Sequence, residues 1–248
     1  MNQLSGKTAL VVGASRGLGR GVTEAFIDEG AQVLAVARDP SPLADLAARS
    51  PLLQIEAADA SDPVVAGTLL ERHLPDVLAL VAGATPLLRP IHHHTWETFS
   101  ANWDTDVRMT FHWLREALLL PMRPGGRIIV MSSGAALQGS PLSGGYAGAK
   151  ATQRFMAEYA AQESRRGGLG ITVTAVLPRL TPATDLGRPA VAAYAARSGV
   201  TEAEYLTQLG EPVTPQVAGA AFLRLAAGGS DGEAPAYLLT GAGLQPLK

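Results

Sequence analysis

Tyr146 and Lys150 stand four residues apart in the segment GGYAGAK, which otherwise contains only glycine and alanine. Because four residues make just over one turn of an α-helix, a helix here places the phenol and the ammonium on the same face. The small neighbouring residues leave that face open to a flat group lying close to the helix. On this stretch alone, an exposed helix with an incidental tyrosine and lysine is the simpler interpretation, so the rest of the chain has to decide.

A glycine-rich turn near the N-terminus is the second candidate for chemistry. Gly13, Gly17 and Gly19 follow the apolar run TALVVGA, where a strand would give way to a helix. Glycines there allow a tight turn and let phosphate oxygens approach the unpaired N–H groups at the start of the helix. The spacing of the glycines is G-x-x-x-G-x-G rather than the commoner G-x-G-x-x-G. The interpretation of this turn as a nucleotide phosphate site therefore depends on its position after the first strand.

The same turn also fits the pattern of a serine hydrolase. The residues from Gly13 to Gly17 read G-x-S-x-G, which would present Ser15 as a nucleophile between strand and helix. A hydrolase then needs an acid and, later in the chain, a histidine. No histidine follows His112. The hydrolase is therefore the least favoured of the functions considered.

The elements that must position these residues alternate along the chain. Short runs rich in Val, Leu and Ile predict buried strands at 8–14, 31–37, 52–58, 76–82, 126–132, 170–176 and 236–240. Segments with helical spacing lie between them, at 17–29, 61–72, 97–120 and 145–166. This alternation predicts a single α/β domain over residues 1–248, with about seven parallel strands in a doubly wound sheet. The segment 179–213, rich in Pro, Ala and Thr, interrupts the alternation and is interpreted as a surface excursion or a lid over a substrate site.

Composition and charge narrow the function classes. Of the 248 residues 47% are hydrophobic and 17% charged, which suits a large core and not a disordered chain. A net charge of −2 without a basic block argues against nucleic acid or a membrane surface as partner. The absence of cysteine excludes disulfides and thiolate metal sites. With a polar N-terminus and no run of roughly 20 apolar residues, we expect a soluble cytoplasmic protein.

Several of these residues together resemble the short-chain dehydrogenase/reductase family. The glycine turn is followed by Asp59 after the third strand, Ala82-Gly83 after the fourth and Ser133 after the fifth. Ser133 stands thirteen residues before Tyr146, as in the family pattern. The resemblance covers essentially the whole chain and implies a Rossmann-type fold.

The resemblance gives the tyrosine and lysine a function. It implies that Tyr146 is the general acid for a carbonyl oxygen, or the base in the reverse direction. It also implies that Lys150 favours the phenolate and binds the nicotinamide ribose, and that Ser133 holds the substrate oxygen. The expected reaction reduces a small ketone or aldehyde, or oxidises the alcohol, in a homotetramer or homodimer joined through 97–120 and 145–166. The cofactor-binding residues it implies are Gly13, Ser15, Arg16, Gly17, Leu18, Gly19, Arg38, Asp59, Ala60, Ala82, Gly83, Tyr146, Lys150 and Pro178.

The choice of cofactor depends on charge at the end of the second strand. Ala37 stands where an enzyme that prefers NAD(H) usually has an acidic residue, and Arg38 follows it. Arg16 lies inside the glycine turn, and two guanidinium groups suit a 2′-phosphate. Asp39 is the counter-evidence, because a shift of one residue would make it the ribose-binding acid. We favour NADP(H) over NAD(H). Asp59 is assigned to the adenine region, with the start of the next helix as its alternative.

The sequence also departs from the family pattern. Leu80-Val81 replace the usual pair of asparagines before Ala82, and Asp106 stands where a fourth catalytic residue, an asparagine, is expected. By resemblance, that asparagine bends its helix and helps to hold a water linked to the lysine. These changes put the proton relay in question, and they keep open the alternative of an NADP(H)-binding protein without turnover.

Three other features favour structural interpretations. We expect no metal at His92, His93 and His94, because adjacent residues of an extended run point to opposite sides. Trp96, Trp103 and Trp113 are assigned to the core or a subunit interface. Tyr194 and Tyr205 in the 179–213 segment either contact substrate or pack within the lid.

Overall fold

The computed structural model describes residues 2–228 and 234–247. One sheet contains the strands β1 (Thr8–Val12), β2 (Gln32–Ala37), β3 (Leu53–Ala57), β4 (Val77–Leu80), β5 (Arg127–Met131), β6 (Thr172–Pro178), β7 (Ala236–Thr240) and β8 (Gly243–Leu247). Their order across the sheet is β3-β2-β1-β4-β5-β6-β7-β8. Each predicted strand is present, and the fold class is confirmed. The eighth strand, β8, pairs antiparallel with β7, whereas all other pairs are parallel.

Helices cover both faces of the sheet. They are α1 (Gly17–Asp28), α2 (Ala44–Arg49), α3 (Pro63–His73), α4 (Trp96–Asn102), α5 (Arg108–Leu119), α6 (Ala135–Gln138), α7 (Tyr146–Arg166), α8 (Gly187–Ser198), α9 (Glu202–Leu209) and α10 (Pro215–Ala227). On one face α1 and α10 bury Phe26 and Phe222 against the sheet. On the other, α3, α5 and α7 cover it, with Trp113 fully buried. The described helices include none that is both long and apolar enough to cross a membrane.

The order of the strands creates the site. The chain first winds outward from β1 to β3 and then returns to place β4 on the other side of β1. The loops that follow β1 and β4 therefore lead away in opposite directions and leave a crevice at the carboxyl ends of these strands. Both the glycine turn and Ala82-Gly83 lie at this point.

Two irregular segments bear on the site. A π-helical turn, Trp103–Val107, joins α4 to α5 without a break in the helix. The segment 179–213 is not an unstructured loop, because it contains α8 and α9. Helix α9 begins with a reciprocal cap, in which Thr201 and Glu204 bond to each other's backbone N–H groups.

Candidate active site

A cavity of about 1590 Å³ lies along the carboxyl ends of β1 to β6, among the residues that the structure describes. Pockets for small ligands usually measure roughly 300–1,000 Å³, so this one has room for an extended ligand together with a smaller one. All the predicted cofactor-binding residues line it, from Gly13 in the glycine turn to Pro178 at the end of β6. Ser133 lines it as well, whereas Asp106 does not.

The glycine turn brings a helix start close to the first strand. A Cβ atom on Gly19 would lie 2.0 Å from the carbonyl oxygen of Gly13, so only glycine permits α1 to approach this closely. Arg16 precedes α1 in an extended conformation, and its side chain does not cap the helix. The N-cap side chain therefore leaves the first N–H groups of α1 uncapped, which fits the phosphates of a dinucleotide.

Arg38 and Asp39 line the same end of the cavity. The Asp39 carboxylate accepts hydrogen bonds from the hydroxyl of Ser41 at 2.6 Å and from its N–H at 3.0 Å. Both bonds hold the pKa of Asp39 below its ordinary value, and the bond from the hydroxyl has the larger effect. Arg16 lies 4.0 Å from Asp185 across the cavity mouth, an exposed and loose ion pair. Both bonds to Asp39 reach the same oxygen, Oδ1. Asp39, Arg16 and Arg38 all line the cavity.

Asp59 also engages its own turn. Its carboxylate accepts from the N–H and the hydroxyl of Ser61, and these bonds, with a smaller contribution from Arg38, lower the pKa of Asp59. The start of α3 is marked instead by Asp62, whose side chain accepts from the N–H of Val64 at 2.9 Å. The alternative assignment of Asp59 to the helix start is thus corrected in favour of Asp62.

Tyr146 is the first residue of α7, and Lys150 follows on the next turn. The Nζ atom of Lys150 lies 5.4 Å from the centre of the Tyr146 ring. Two hydrogen bonds fix this turn, from Trp103 Nε1 to the carbonyl of Gly145 and from the Ser132 hydroxyl to the carbonyl of Lys150. The predicted spacing therefore places the phenol and the ammonium together at the cavity wall.

Asp106 lies behind Lys150, away from the cavity. Its Oδ2 atom is 3.0 Å from Lys150 Nζ, and the Asp106 and Lys150 side chains are 0% and 6% exposed. The Oδ1 atom accepts the N–H of Ala84 at 2.7 Å, which ties the loop after β4 to the π-helical turn. A Cβ atom on Gly83 would lie only 3.0 Å from Oδ2, so the glycine lets this loop close over the ion pair.

Gln153 completes the surroundings of Lys150 and was not anticipated from the sequence. Its Oε1 accepts from Lys150 Nζ at 2.8 Å, and its Nε2 donates to Thr110 Oγ1 at 2.6 Å and to the carbonyl of Asp106 at 3.3 Å. Gln153 therefore links Lys150 to the backbone of the π-helical turn. Gln153 lies three residues after Lys150, so the i, i+3 rule for helix faces could have identified it. Asn102, four residues before Asp106, could have been found similarly; its Nδ2 donates to the carbonyl of Ala84.

The charge of Lys150 is maintained by these neighbours. Burial by itself lowers the pKa of the ammonium, but attraction to the Asp106 carboxylate, and next to Tyr146 when it is ionised, outweighs burial and raises the pKa above its ordinary value. The ammonium has three N–H donors, and Asp106 and Gln153 take two of them. One donor is left for the cavity side.

The 179–213 segment forms the outer wall. Tyr194 of α8 and Tyr205 of α9 stack with ring centres 6.5 Å apart, and both line the cavity. The Tyr194 hydroxyl contacts the hydroxyl of Ser140 in the loop before α7. Both proposed functions of the tyrosines, packing within the lid and facing the cavity, are therefore compatible with the geometry. Burial, and next Tyr194, raise the pKa of Tyr205.

The histidines lie away from this chemistry. Ile91–His93 form a 3₁₀ turn, which corrects the predicted extended run. His94 bonds to Thr98 and to the carbonyl of Arg89. None of the five histidines lines the large cavity, so Ser15 has no histidine partner there. Within residues 2–228 and 234–247, no group of three metal-ligating side chains occurs.

Comparison with known proteins identifies the family. Residues 7–195 match the short chain dehydrogenase family. The chain is a short-chain dehydrogenase/reductase. Members of this family are oxidoreductases that use a nicotinamide cofactor, and the glycine turn, the cavity and the Tyr146–Lys150 pair of this short-chain dehydrogenase fit that group.

Individual relatives are similar at about 30% identity. The short chain dehydrogenase/reductase AacuD of Aspergillus aculeatus is 33% identical over 65% of this chain, but the match spans only 61% of AacuD. The hydroxynaphthalene reductase-like protein Arp2 of Metarhizium majus is 30% identical, over 71% of this chain and 68% of its own. The NADPH-dependent aldehyde reductase 2 of Arabidopsis thaliana is 28% identical, over 71% of this chain and 72% of its own.

Proposed function

We propose that this short-chain dehydrogenase is an NADP(H)-dependent ketoreductase, which transfers hydride between the nicotinamide and a small carbonyl or alcohol substrate. One observation carries the proposal: Tyr146, Lys150 and Ser133 line the same cavity as the glycine turn and Arg38. The names of relatives such as the Arabidopsis NADPH-dependent aldehyde reductase support the same chemistry.

The residues have complementary tasks in this reaction. When bound, the nicotinamide supplies or accepts the hydride at the substrate carbon. Tyr146 donates a proton to the carbonyl oxygen during reduction, and Ser133 hydrogen-bonds the same oxygen as negative charge develops on it. Lys150 lines the cavity, and the N–H that Asp106 and Gln153 leave available would bind the ribose. The stacked Tyr194 and Tyr205 limit the access of water from the lid side.

The preference for NADP(H) follows from the charges at the adenosine end. Arg38 and Arg16 both line the cavity. Asp39, the residue that would favour a ribose hydroxyl, has one carboxylate oxygen, Oδ1, bonded by the N–H and the hydroxyl of Ser41. A 2′-phosphate would gain charge-assisted hydrogen bonds from the guanidinium groups that a hydroxyl would not.

An assembly of two or four copies belongs to the proposal, as does a cytoplasmic location. Trp113 and Leu114 of α5 face the sheet and are buried. Phe111 of the same helix is 51% exposed, and Phe155 and Tyr159 of α7 are 63% and 55% exposed. The rings of Phe155 and Tyr159 lie 5.8 Å apart, and these exposed aromatic side chains of α5 and α7 are the surface that a second copy would cover.

A second candidate function is NADP(H) binding without turnover. The observation that favours it is the engagement of Lys150 by Asp106 and Gln153, which leaves a single N–H for the cofactor. Turnover distinguishes the two candidates, because both predict cofactor binding.

The test replaces Tyr146 by phenylalanine and assays NADPH oxidation over a panel of ketones and aldehydes. The change removes a proton donor and little volume, so turnover should fall by about 10²-fold or more while NADPH affinity, measured by fluorescence, stays nearly the same. Tyr159→Phe on the same helix is the matched control and should keep full activity. Full activity of Tyr146→Phe on a substrate of the unaltered enzyme would refute the assignment of the proton donor.

A further inference from the structure

Arg179 is the first residue after β6, and the backbone around it is fixed from two sides. Its N–H donates to the carbonyl of Leu239 in β7 at 2.9 Å, and the carbonyl of Pro178 accepts the N–H of Gly134 at 2.8 Å. A Cβ atom on Gly134 would lie 3.8 Å from the Cα atom of Arg179. Because Gly134 directly follows Ser133, Arg179 stands beside the segment that carries the residue proposed to hold the substrate oxygen.

The side chain of Arg179 is exposed and lines the cavity, as Ser133 and Tyr146 do. In the part of the chain that the structure describes, its guanidinium forms neither an ion pair nor a hydrogen bond. By contrast, Arg20 and Arg166 each bind a carboxylate at 2.6 Å. Arginine has five N–H donors in a planar fork and no acceptor, so Arg179 offers unused donors to a planar anion.

The carboxylates that line the cavity do not pair with Arg179. Within the described residues there are four of them: Asp39, Asp59, Asp185 and Glu211. The first two accept hydrogen bonds from serines of their own turns, and Asp185 lies 4.0 Å from Arg16. Glu211 packs on the turn between β7 and β8, where a Cβ on Gly241 would lie 2.4 Å from the Cβ of Glu211. A bound ligand therefore has to supply the anion if the guanidinium is to be paired.

Arg197 also lines the cavity and forms no ion pair with the described residues. It is exposed in the last turn of α8. A cation at this position interacts favourably with the helix dipole whether or not a ligand is bound. Arg197 consequently has a structural explanation without a substrate, whereas Arg179 follows a strand and has none.

The wall around Arg179 is largely apolar. The segments 134–145 and 179–213 contribute these large apolar or aromatic side chains to the cavity: Leu137, Leu180, Leu186, Tyr194, Tyr205 and Leu206. Contact with them removes apolar surface of a ligand from water, which favours binding. A ligand with one carboxylate and an apolar body thus matches both the unpaired guanidinium and its surroundings.

We propose that the substrate is a keto acid with an apolar body, or the corresponding hydroxy acid, and that Arg179 binds its carboxylate. This inference rests on the proposed function. Ser133 and Tyr146 bind the ketone oxygen, and the carboxylate accepts two parallel N–H groups of the guanidinium. Hydride and a proton add to the ketone carbon and oxygen as in the proposed function, and the carboxylate is unchanged by the reaction.

The first test measures binding and requires no turnover. Phenylacetate, 3-phenylpropionate and 4-phenylbutyrate are titrated calorimetrically, each beside its neutral amide, in the presence and in the absence of NADP⁺. At least one acid should bind about tenfold or more tightly than its amide, because hydrogen bonds between charged groups are stronger than those to a neutral group. The series varies the distance between the carboxylate and the ring, which selects the acid that reaches both Arg179 and the apolar wall.

Substitutions of arginine locate the anion site. Arg179→Gln removes the charge and keeps a polar side chain, so the preference for the acid should disappear, whereas Arg179→Lys should keep part of it. The matched control is Arg188→Gln, because Arg188 is exposed in the same 179–213 segment and does not line the cavity. Both Arg188→Gln and Arg197→Gln should keep the full preference.

Three results would overturn the inference. One is equal affinity for acid and amide throughout the series in the unaltered protein, a comparison that depends on no variant. Another is a preference that survives in Arg179→Gln or that is lost in Arg197→Gln alone. The third is a comparable loss of NADPH affinity in Arg179→Gln, measured by fluorescence, which would assign the guanidinium to a phosphate of the cofactor.

Turnover then distinguishes this inference from the proposed function. NADPH oxidation is compared for phenylglyoxylate, 3-benzoylpropionate and 4-benzoylbutyrate and for their methyl esters. For at least one pair, kcat/KM should be about tenfold or more higher for the acid. Arg179→Gln should remove this advantage mainly through KM, because the contact with the carboxylate is the same before and during the reaction.

The two ideas fail in different ways. Reduction of every ester at least as fast as its acid would overturn the inference and leave the reductase intact. Tight binding of an acid without reduction of any compound would instead refute the proposed function and support the carboxylate site at Arg179.

Discussion

Replacing Lys150 by methionine removes one partner of a buried ion pair and keeps a side chain of similar length. The Asp106 carboxylate would keep the N–H of Ala84 at 2.7 Å and the long contact to Asn102 at 3.4 Å, so two donors remain for a buried charge. Gln153 would also lose the donor to its Oε1. Breaking a buried pair from one side typically costs about 3–5 kcal/mol, and the surviving bonds place this case near 3 kcal/mol. For a chain of this length, that corresponds to a fall in Tm of roughly 6–12 °C.

The assay is urea unfolding followed by circular dichroism, with the m-value checked for constancy. Asp106→Asn added to Lys150→Met removes the orphaned charge, so the double variant should regain at least half of the lost free energy of unfolding. Arg166→Met, which removes an exposed cation paired with Glu163 on the same helix, should cost less than about 1 kcal/mol. Two results would refute the description of this ion pair. One is a loss of less than about 1 kcal/mol in the free energy of unfolding for Lys150→Met. The other is additive effects of Lys150→Met and Asp106→Asn on that free energy.

The stability difference between the unaltered protein and Lys150→Met should also change with pH, in a direction that the pKa of Lys150 determines. Burial lowers the pKa of Lys150, but the Asp106 carboxylate outweighs it, so the pKa in the folded protein lies above the ordinary value. A group of this kind contributes its full stability below its unfolded pKa and loses it as pH rises through the folded one. The stability difference between the unaltered protein and Lys150→Met should therefore be constant from about pH 6 to 9 and shrink only above about pH 10.4.

Three further outcomes are expected elsewhere in the molecule. Arg38→Ala should weaken NADPH binding by about tenfold to a hundredfold and NADH binding far less. Arg49→Ala, outside the cavity, is the control. Equal losses of affinity for both cofactors would exclude Arg38 as the phosphate partner. Gly19→Ala should abolish cofactor binding or folding because its Cβ would meet the carbonyl of residue 13 at 2.0 Å. In Gly67→Ala of α3 the new Cβ would lie 3.6 Å from the nearest atom, so this variant should be as stable as the unaltered protein or more stable by up to about 1 kcal/mol. Equal stability and cofactor affinity of Gly19→Ala and Gly67→Ala would contradict the close approach of α1 to residue 13. Light scattering should give a molecular mass of two or four times 25.7 kDa, and Phe155→Glu should lower this mass. A single species of 25.7 kDa for the unaltered protein would refute assembly.

Local patterns predicted much of the fold. The seven apolar runs correspond to β1 to β7. Strands buried on both faces are apolar along their whole length, so a short stretch of sequence is enough to identify them. β8 was missed because GLQPL contains a glycine and a proline and has no apolar run. The helices of 179–213 were missed although Thr201 and Glu204 form a recognisable capping box, a local signal overlooked beside the Pro-rich composition.

The site was predictable as a set of positions but not as a set of contacts. The Tyr146–Lys150 spacing on one helix gives their proximity, because helical geometry is local. The ion pair with Asp106 joins residues 44 positions apart, and the bond from Gln153 to the carbonyl of Asp106 joins residues 47 apart. No periodicity encodes such long-range partners. Asp106 was identified as a departure from the family pattern, and only the structure shows that its carboxylate faces Lys150 rather than the cavity.

Isotope transfer tests the central claim, hydride transfer between NADP(H) and a carbonyl, most directly. NADPH deuterated at C4 of the nicotinamide, on one face or the other, is incubated with the enzyme and a panel of ketones and aldehydes, and the products are analysed by mass spectrometry. We expect one deuterium on the carbinol carbon, from one of the two faces only, and product formed at least about 10²-fold more slowly with Tyr146→Phe. NADPH that binds with micromolar affinity but transfers no deuterium to any member of a broad panel would contradict it and favour binding without turnover.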